Sequence, residues 1–151
     1  NSNKKSIGNG KMIKLKDLLF EGHNDTDDSG GVLYICYDKA LLCLGANSGI
    51  WNIPKGHLMI GEESLEGSVR EFTEETQISL NGIPELAKTY KKDNGGTFYF
   101  YVLKGTKKFA PRLDHEHTDW GYFSKEELPE PIDDWVKEVI ENEDIASEFI
   151  S

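Results

Sequence analysis

Apolar and polar positions alternate along some stretches of the chain and recur at helical spacing along others. VLYICYDKALLCLGA reads as two short strands, Val32–Tyr37 and Ala40–Leu44, joined by a tight Asp38-Lys39 turn. GIWNIP is a short strand running into a Pro-Lys-Gly turn. PELAKTYKK and TFYFYVLKG flank DNGG, whose Asn-Gly and Gly-Gly pairs reach positive φ at little cost, so the segment predicts a hairpin. WGYF is a further short strand. EGHNDTDDSGG, Glu21–Gly31, is polar and Gly-tipped and reads as a surface loop.

Two segments carry the helical period. Ser64 to Gln77 places Leu65, Val69, Phe72 and Thr76 within roughly ±40° on a helical wheel, which predicts the buried stripe. DDWVKEVIENEDIASEFI reads as a closing amphipathic helix, with Trp135, Val136, Val139 and Ile140 on one broad face. SKEEL fits one helical turn capped by Ser124. Strands, a helix, more strands and a helix predict an α+β fold, an α/β/α sandwich around a mixed β-sheet. No repeat or composition break divides the chain, so residues 1–151 are expected to form a single domain.

Composition narrows this reading. Hydrophobic residues make up 37% and charged residues 29%, as in globular proteins that live in water, and no apolar run approaches the ~20 residues of a membrane span. No signal peptide is expected; with Asn as residue 1, the beginning reads as a processed end or an added stretch. The net charge of −10 disfavours non-specific nucleic-acid binding, yet leaves room for a small phosphorylated ligand where a metal ion inverts the local sign. With the predicted turn, Cys36 and Cys43 are diagonal neighbours at best, poorly placed for a bridge. They are expected to be free thiols in a reducing, cytoplasmic setting.

The densest chemistry lies in GHLMIGEESLEGSVREFTEETQI, where Glu62, Glu63, Glu66, Glu71, Glu74 and Glu75 face one cation, Arg70. Glu71, Glu74 and Glu75 stand at i, i+3 and i+4, on a face other than the apolar stripe. Like charges so close repel, so this is either a solvated face or a seat for a divalent cation with oxygen ligands. Arg70 can hold a glutamate in a fixed rotamer, with Glu62 as a second partner.

The spacing resembles the Nudix box, G-x5-E-x7-R-E-U-x-E-E-x-G-U, where U is a bulky apolar residue. Gly56, Glu62, Arg70, Glu71, Phe72, Glu74, Glu75 and Ile78 match it, eight of nine specified positions. Gln77 stands where the family has glycine, a position that ends the helix in a left-handed conformation costing Gln roughly 1–2 kcal/mol. The strand order fits the Nudix fold as well, from about Gly31 to Ile140.

The resemblance implies hydrolysis of a diphosphate linkage in a nucleoside diphosphate joined to another group. It implies Mg²⁺ or Mn²⁺ held by Glu71, Glu74, Glu75 and the Lys55 carbonyl, with Arg70 and Glu62 as an orienting pair and Glu71 as one option for the base. LDHEHTDWGYF is similar to a segment of the diadenosine tetraphosphate hydrolase branch, where a further Glu serves as ligand or base; here that is Glu116, or HEH is simply a charged loop tip. WNIPKGH, Trp51 to His57, resembles the same branch. Lys55 and His57 are then phosphate contacts, or Lys55 offers only its carbonyl and His57 has no role. Trp51 reads as core.

Tyr99 and Tyr101, on one face of FYFYV, are options for stacking on a base, as is Tyr90. Lys91, Lys92, Lys104, Lys107, Lys108 and Arg112 could meet a polyphosphate or merely offset the acidic surface. The expected substrate is a dinucleoside polyphosphate such as diadenosine tetraphosphate. An RNA 5′ end, ADP-ribose or another nucleotide sugar, and a non-catalytic nucleotide sensor are the alternatives. A monomer or small homo-oligomer, with no membrane partner, is expected.

Overall fold

The structure, a computed structural model, describes residues 25–149. Seven strands, β1 (Asp25–Cys36), β2 (Lys39–Gly45), β3 (Trp51–Asn52), β4 (Lys55–Met59), β5 (Glu85–Lys91), β6 (Thr97–Gly105) and β7 (His117–Ser124), form one mixed sheet. Three helices among the described residues accompany it: α1 (Ser64–Thr76), α2 (Asp134–Glu141) and α3 (Glu143–Ala146). β1 and β6 run parallel from Ser29↔Phe98 to Cys36↔Gly105, and the other pairings between these strands are antiparallel.

The sheet is covered on both faces, as the predicted sandwich requires. One layer joins Leu33, Ile35, Ala40, Leu42, Phe98 and Phe100 to Val136, Val139 and Ile140 of α2. The other joins Val32, Tyr34, Cys36, Leu41, Tyr101 and Leu103 to Phe72 of α1. Odd and even residues of one strand face opposite ways, so the two layers divide β1 residue by residue. Both cysteines are buried and free, as expected.

Five local readings need correction. The polar stretch Asp25–Gly31 is not a surface loop but the first half of β1, paired with β4 on one edge and, from Ser29, with β6 on the other; Glu21–Asn24 lie outside the described residues. Glycine is required at Gly30 because α1 approaches closely: an added Cβ would fall 2.0 Å from Ser68 Oγ. The Lys55–Met59 segment, read as a turn and loop, is β4. The β1–β2 turn lies one residue earlier, with Cys36 opposite Lys39 and Tyr37 at φ 57°. SKEEL is a turn in which the Glu127 N–H donates to the Ser124 carbonyl. The closing helix is two helices: Asn142 has ψ 134°, and its side chain accepts from the Asp144 N–H at 2.9 Å, capping α3.

The α1 C-terminus meets the demand of its position without glycine. Gln77 adopts φ 62°, ψ 24°, and its N–H donates to the Thr73 carbonyl at 2.8 Å. Because a side chain crowds the backbone there, Gln77→Gly is expected to stabilise the protein by about 0.5–1 kcal/mol. Urea unfolding of the two proteins checks this; an unchanged or lower midpoint contradicts it.

Candidate active site

The charged face of α1 is organised by Arg70. Its Nε donates to Glu62 Oε2 at 2.8 Å, and one terminal nitrogen donates to Glu62 Oε1 and the His57 carbonyl, both at 3.0 Å. The other reaches Glu71 Oε2 at 2.9 Å and Glu74 Oε1 at 3.2 Å. Burial by itself would lower the Arg70 pKa, but the Glu62 hydrogen bond and the Glu71, Glu74 and Glu62 charges raise it instead. Glu62 also accepts from the Met59 N–H at 2.9 Å, locking α1 to the end of β4. Gly56 leaves room for the Glu71 carboxylate: a Cβ there would stand 2.1 Å from Glu71 Oε1, so any larger residue displaces that carboxylate from its place beside Arg70.

Glu75 departs from the helical-wheel reading. It belongs to the buried face of α1, with Ser68, Phe72 and Thr76, and is only 5% exposed. The Lys55 N–H donates to its Oε1 at 3.1 Å. The Arg112 N–H donates to the Thr76 carbonyl at 2.8 Å, which ties the segment before β7 to the end of α1. The Ala46 N–H donates to the Glu116 carbonyl at 2.8 Å. Together these bonds bring Asp114 and Glu116 beside Glu75, so that one carboxylate oxygen from each lies within 4.8 Å of the others. His117 sits between two of them, with Nδ1 3.0 Å from Asp114 Oδ1 and Nε2 3.6 Å from Glu75 Oε1.

This group carries more negative charge than its surroundings neutralise. Burial pushes the Glu75 carboxyl up to about 8, against the Lys55 N–H, and Glu71, Asp114 and Glu116 push the same way. Burial likewise raises Glu71 to about 7; Arg70 opposes it, while Glu74 and Glu116 add to it. The Cys43 thiol is pushed up to about 12 by burial, then by Glu75 and Asp114. An all-oxygen donor set of this kind, short of positive charge, fits a hard divalent cation.

A cleft adjoins the acidic group. Paired residues of neighbouring strands share a face, so two rows cross the sheet: His57–Ser29–Phe98–Tyr90 and Lys55–Gly31–Phe100–Lys88. Lys55, His57, Phe98 and Phe100 line a cavity of about 660 Å³ that Glu116 and Trp135 also border. A second hollow, about 400 Å³, shares Asn52, Lys55 and Glu116 with it and extends to Glu75, His115 and His117.

Several predicted site residues therefore come together: Glu62, Arg70, Glu71 and Glu74 in one network, and Glu75, Glu116, Lys55 and His57 around the adjoining hollows. Tyr99 and Tyr101 do not join them. The parity of β6 turns both to the α1 side, where the Tyr101 hydroxyl hydrogen-bonds Ser64 Oγ at 2.6 Å and Tyr99 packs beside it. Tyr90 stacks on Trp135, 4.5 Å between ring centroids, and its hydroxyl donates to Glu138. Trp51 packs edge-on to Phe123 at 5.1 Å, in keeping with core. Of the basic residues singled out, Lys92 lines the cleft, whereas Lys104 pairs with Glu148 and Lys107 and Lys108 lie over Phe109 and Tyr122. Sequence reasoning missed Asp114, whose signal was an Asp two residues before Glu116: its Oδ1 accepts the Glu116 N–H at 3.2 Å, forming an Asx turn.

Comparison with known proteins agrees with this architecture. A family model described as the NUDIX domain matches residues 26–142. The fold is similar to that of a MutT protein from Methanosarcina mazei Go1 (TM-score 0.66, 23% identity, 80% of this chain and 94% of that one). It is similar to a MutT NUDIX hydrolase from Burkholderia pseudomallei (TM-score 0.65, 22% identity, 76% and 95%) and to a C. elegans Ap4A hydrolase in a binary complex (TM-score 0.59, 18% identity, 80% and 92%). No curated protein matches the chain by sequence. No helix among the described residues is long and apolar enough to cross a membrane. With its box carboxylates assembled on α1 and the family match running through nearly all the described residues, the chain belongs to the Nudix family of pyrophosphohydrolases.

Proposed function

We propose that this Nudix hydrolase cleaves dinucleoside polyphosphates, with diadenosine tetraphosphate as the leading substrate. The observation that carries the reading is the continuity of the cleft with the acidic group, through Lys55 and Glu116. An anionic chain with an aromatic base matches a hollow that is carboxylate-rich at one end, has cationic side chains along its wall, and carries Phe98, Phe100 and Trp135 farther along. The two segments that resemble the diadenosine tetraphosphate hydrolase branch, WNIPKGH and LDHEHTDWGYF, both border these hollows, which supports the same choice.

In this reading Arg70 and Glu62 are positioning residues. Their paired hydrogen bonds hold Glu71 and Glu74 in fixed rotamers, so little reorganisation accompanies the reaction. Glu71 is the proton acceptor for the attacking water, with Glu116, which lines both hollows, as the other option. Lys55 and His57 bind phosphate oxygens, and Trp135, the partly exposed aromatic at the cleft, takes the stacking role first expected of Tyr99 and Tyr101, with the buried Phe98 and Phe100 behind it as an apolar floor. Glu71, Glu74, Glu75, Glu116 and the Lys55 carbonyl, joined by Asp114, would hold Mg²⁺ or Mn²⁺. When bound, such an ion supplies neutralisation of phosphate oxygens and a lowered pKa for coordinated water.

The test is a panel of diadenosine tetraphosphate, ADP-ribose and 5′-triphosphorylated RNA with magnesium, the products being separated by chromatography. The dinucleotide is expected to give the highest kcat/KM, by about tenfold or more, one tenfold step being worth about 1.4 kcal/mol of transition-state binding. A preference for ADP-ribose or RNA overturns the substrate choice. Nucleotide binding with no hydrolysis of any of the three favours the sensor reading.

A further inference from the structure

Lys92 follows β5 and lines the cleft without belonging to the acidic group or the Arg70 network. Its Nζ donates to the Asp27 carbonyl at 2.9 Å and to Ser29 Oγ at 2.6 Å, and Ser29 is buried at the heart of β1. A lysine tethered at two points loses much of its rotamer freedom before any ligand arrives. The side chain borders the same cleft as Lys55 and His57. Its ammonium is depressed first by burial and then by Lys55, so the two cations share one field. Asp27 and Asp28 act in the opposite sense, but Asp28 is engaged by the Thr97 N–H at 2.9 Å.

The register sets the spacing. Lys55 stands opposite Gly31, and Lys92 is anchored on Ser29, two residues farther along β1. Two strand residues span about 7 Å along β1, and the step from β1 across to β4 adds about 5 Å sideways. Lys55 also adjoins Glu75 and Glu116, whereas Lys92 borders the cleft beyond it. An anion short enough to sit on the acidic group and Lys55 stops before Lys92; a longer one reaches it.

We propose that Lys92 is a specificity-determining phosphate contact that favours substrates with three or more linked phosphates over diphosphates. The proposal rests on the reading of this cleft as the substrate site and names the part of the substrate that Lys92 selects.

Calorimetric titration of the intact protein with inorganic tripolyphosphate and with pyrophosphate, magnesium present, tests it without requiring turnover. Lys92→Gln is expected to weaken tripolyphosphate about tenfold, the scale of one charge-assisted contact, and pyrophosphate less than twofold. Lys92→Arg is expected to restore most of the difference. With diadenosine tetraphosphate the loss should fall on KM. If Lys92 merely staples β5 to β1, both anions weaken alike, or neither does, and the proposal is overturned. Preferential hydrolysis of ADP-ribose by the wild type would defeat the substrate assignment while leaving the length dependence of binding to be judged by the calorimetry.

Discussion

Stripped of metal, the protein should lose stability as the pH rises from 5 to 8, the reverse of an ordinary paired carboxylate. Glu75 and Glu71 have folded-state pKa values of about 8 and about 7, above the 4.5 of the unfolded chain. The folded state therefore holds protons that the unfolded state has released. The contribution of these groups is fully present below pH 4.5 and is lost as the pH climbs through 7 and 8. At about 1.4 kcal/mol per pKa unit, the loss is on the order of a few kcal/mol for the coupled pair. Melting temperatures in chelator at pH 5, 6.5 and 8 should fall in that order. Added magnesium should restore more at pH 8 than at pH 5, because a cation competes with protons for the same oxygens. A melting temperature flat or rising with pH, and indifferent to magnesium, would contradict the charge imbalance at the α1–β7 junction.

Glu75→Gln should separate stability from activity. The amide keeps the shape, and its oxygen can still accept the Lys55 N–H that now bonds Oε1. It removes the buried charge, so the metal-free variant should be more stable than the wild type at pH 8, by roughly 2 kcal/mol of the imbalance above, with little difference at pH 5. Hydrolysis should fall by about 10²–10³-fold, the scale of losing one directed electrostatic group in a water-poor site. Glu141→Gln, on the exposed side of α2, should change neither. Activity within tenfold of wild type would mean that Glu75 is a structural carboxylate, and an unchanged melting temperature at pH 8 would contradict the cost of its buried charge.

Much of the site was legible along the chain because its parts lie on one helix and one turn. Glu62, Arg70, Glu71 and Glu74 meet through i, i+1 and i+4 neighbourhoods and one short loop, and these depend only on helical geometry. The face taken by each aromatic pair was not legible, for the opposite reason. Alternation along β6 separates Phe98 and Phe100 from Tyr99 and Tyr101, but says nothing about which pair faces a helix. That was set by β6 pairing parallel to β1, with α1 packing on the Tyr101 side. Asp25–Gly31 was misread because pairing on both edges can extend a polar, glycine-rich segment whose own preference is a turn.

The linear order of residues by itself determined the α1 charge pattern, the Asn-Gly hairpin and the layered alternation, since each depends on contacts within a few residues. Only the tertiary structure decided that Glu75 is buried, that Asp114 and Glu116 stand beside it, and that Lys55, His57 and Lys92 share a cleft with Phe98 and Phe100. Those neighbours come from segments up to about sixty residues apart, and what joins them is strand register and the docking of α1 on the sheet, neither of which local spacing encodes.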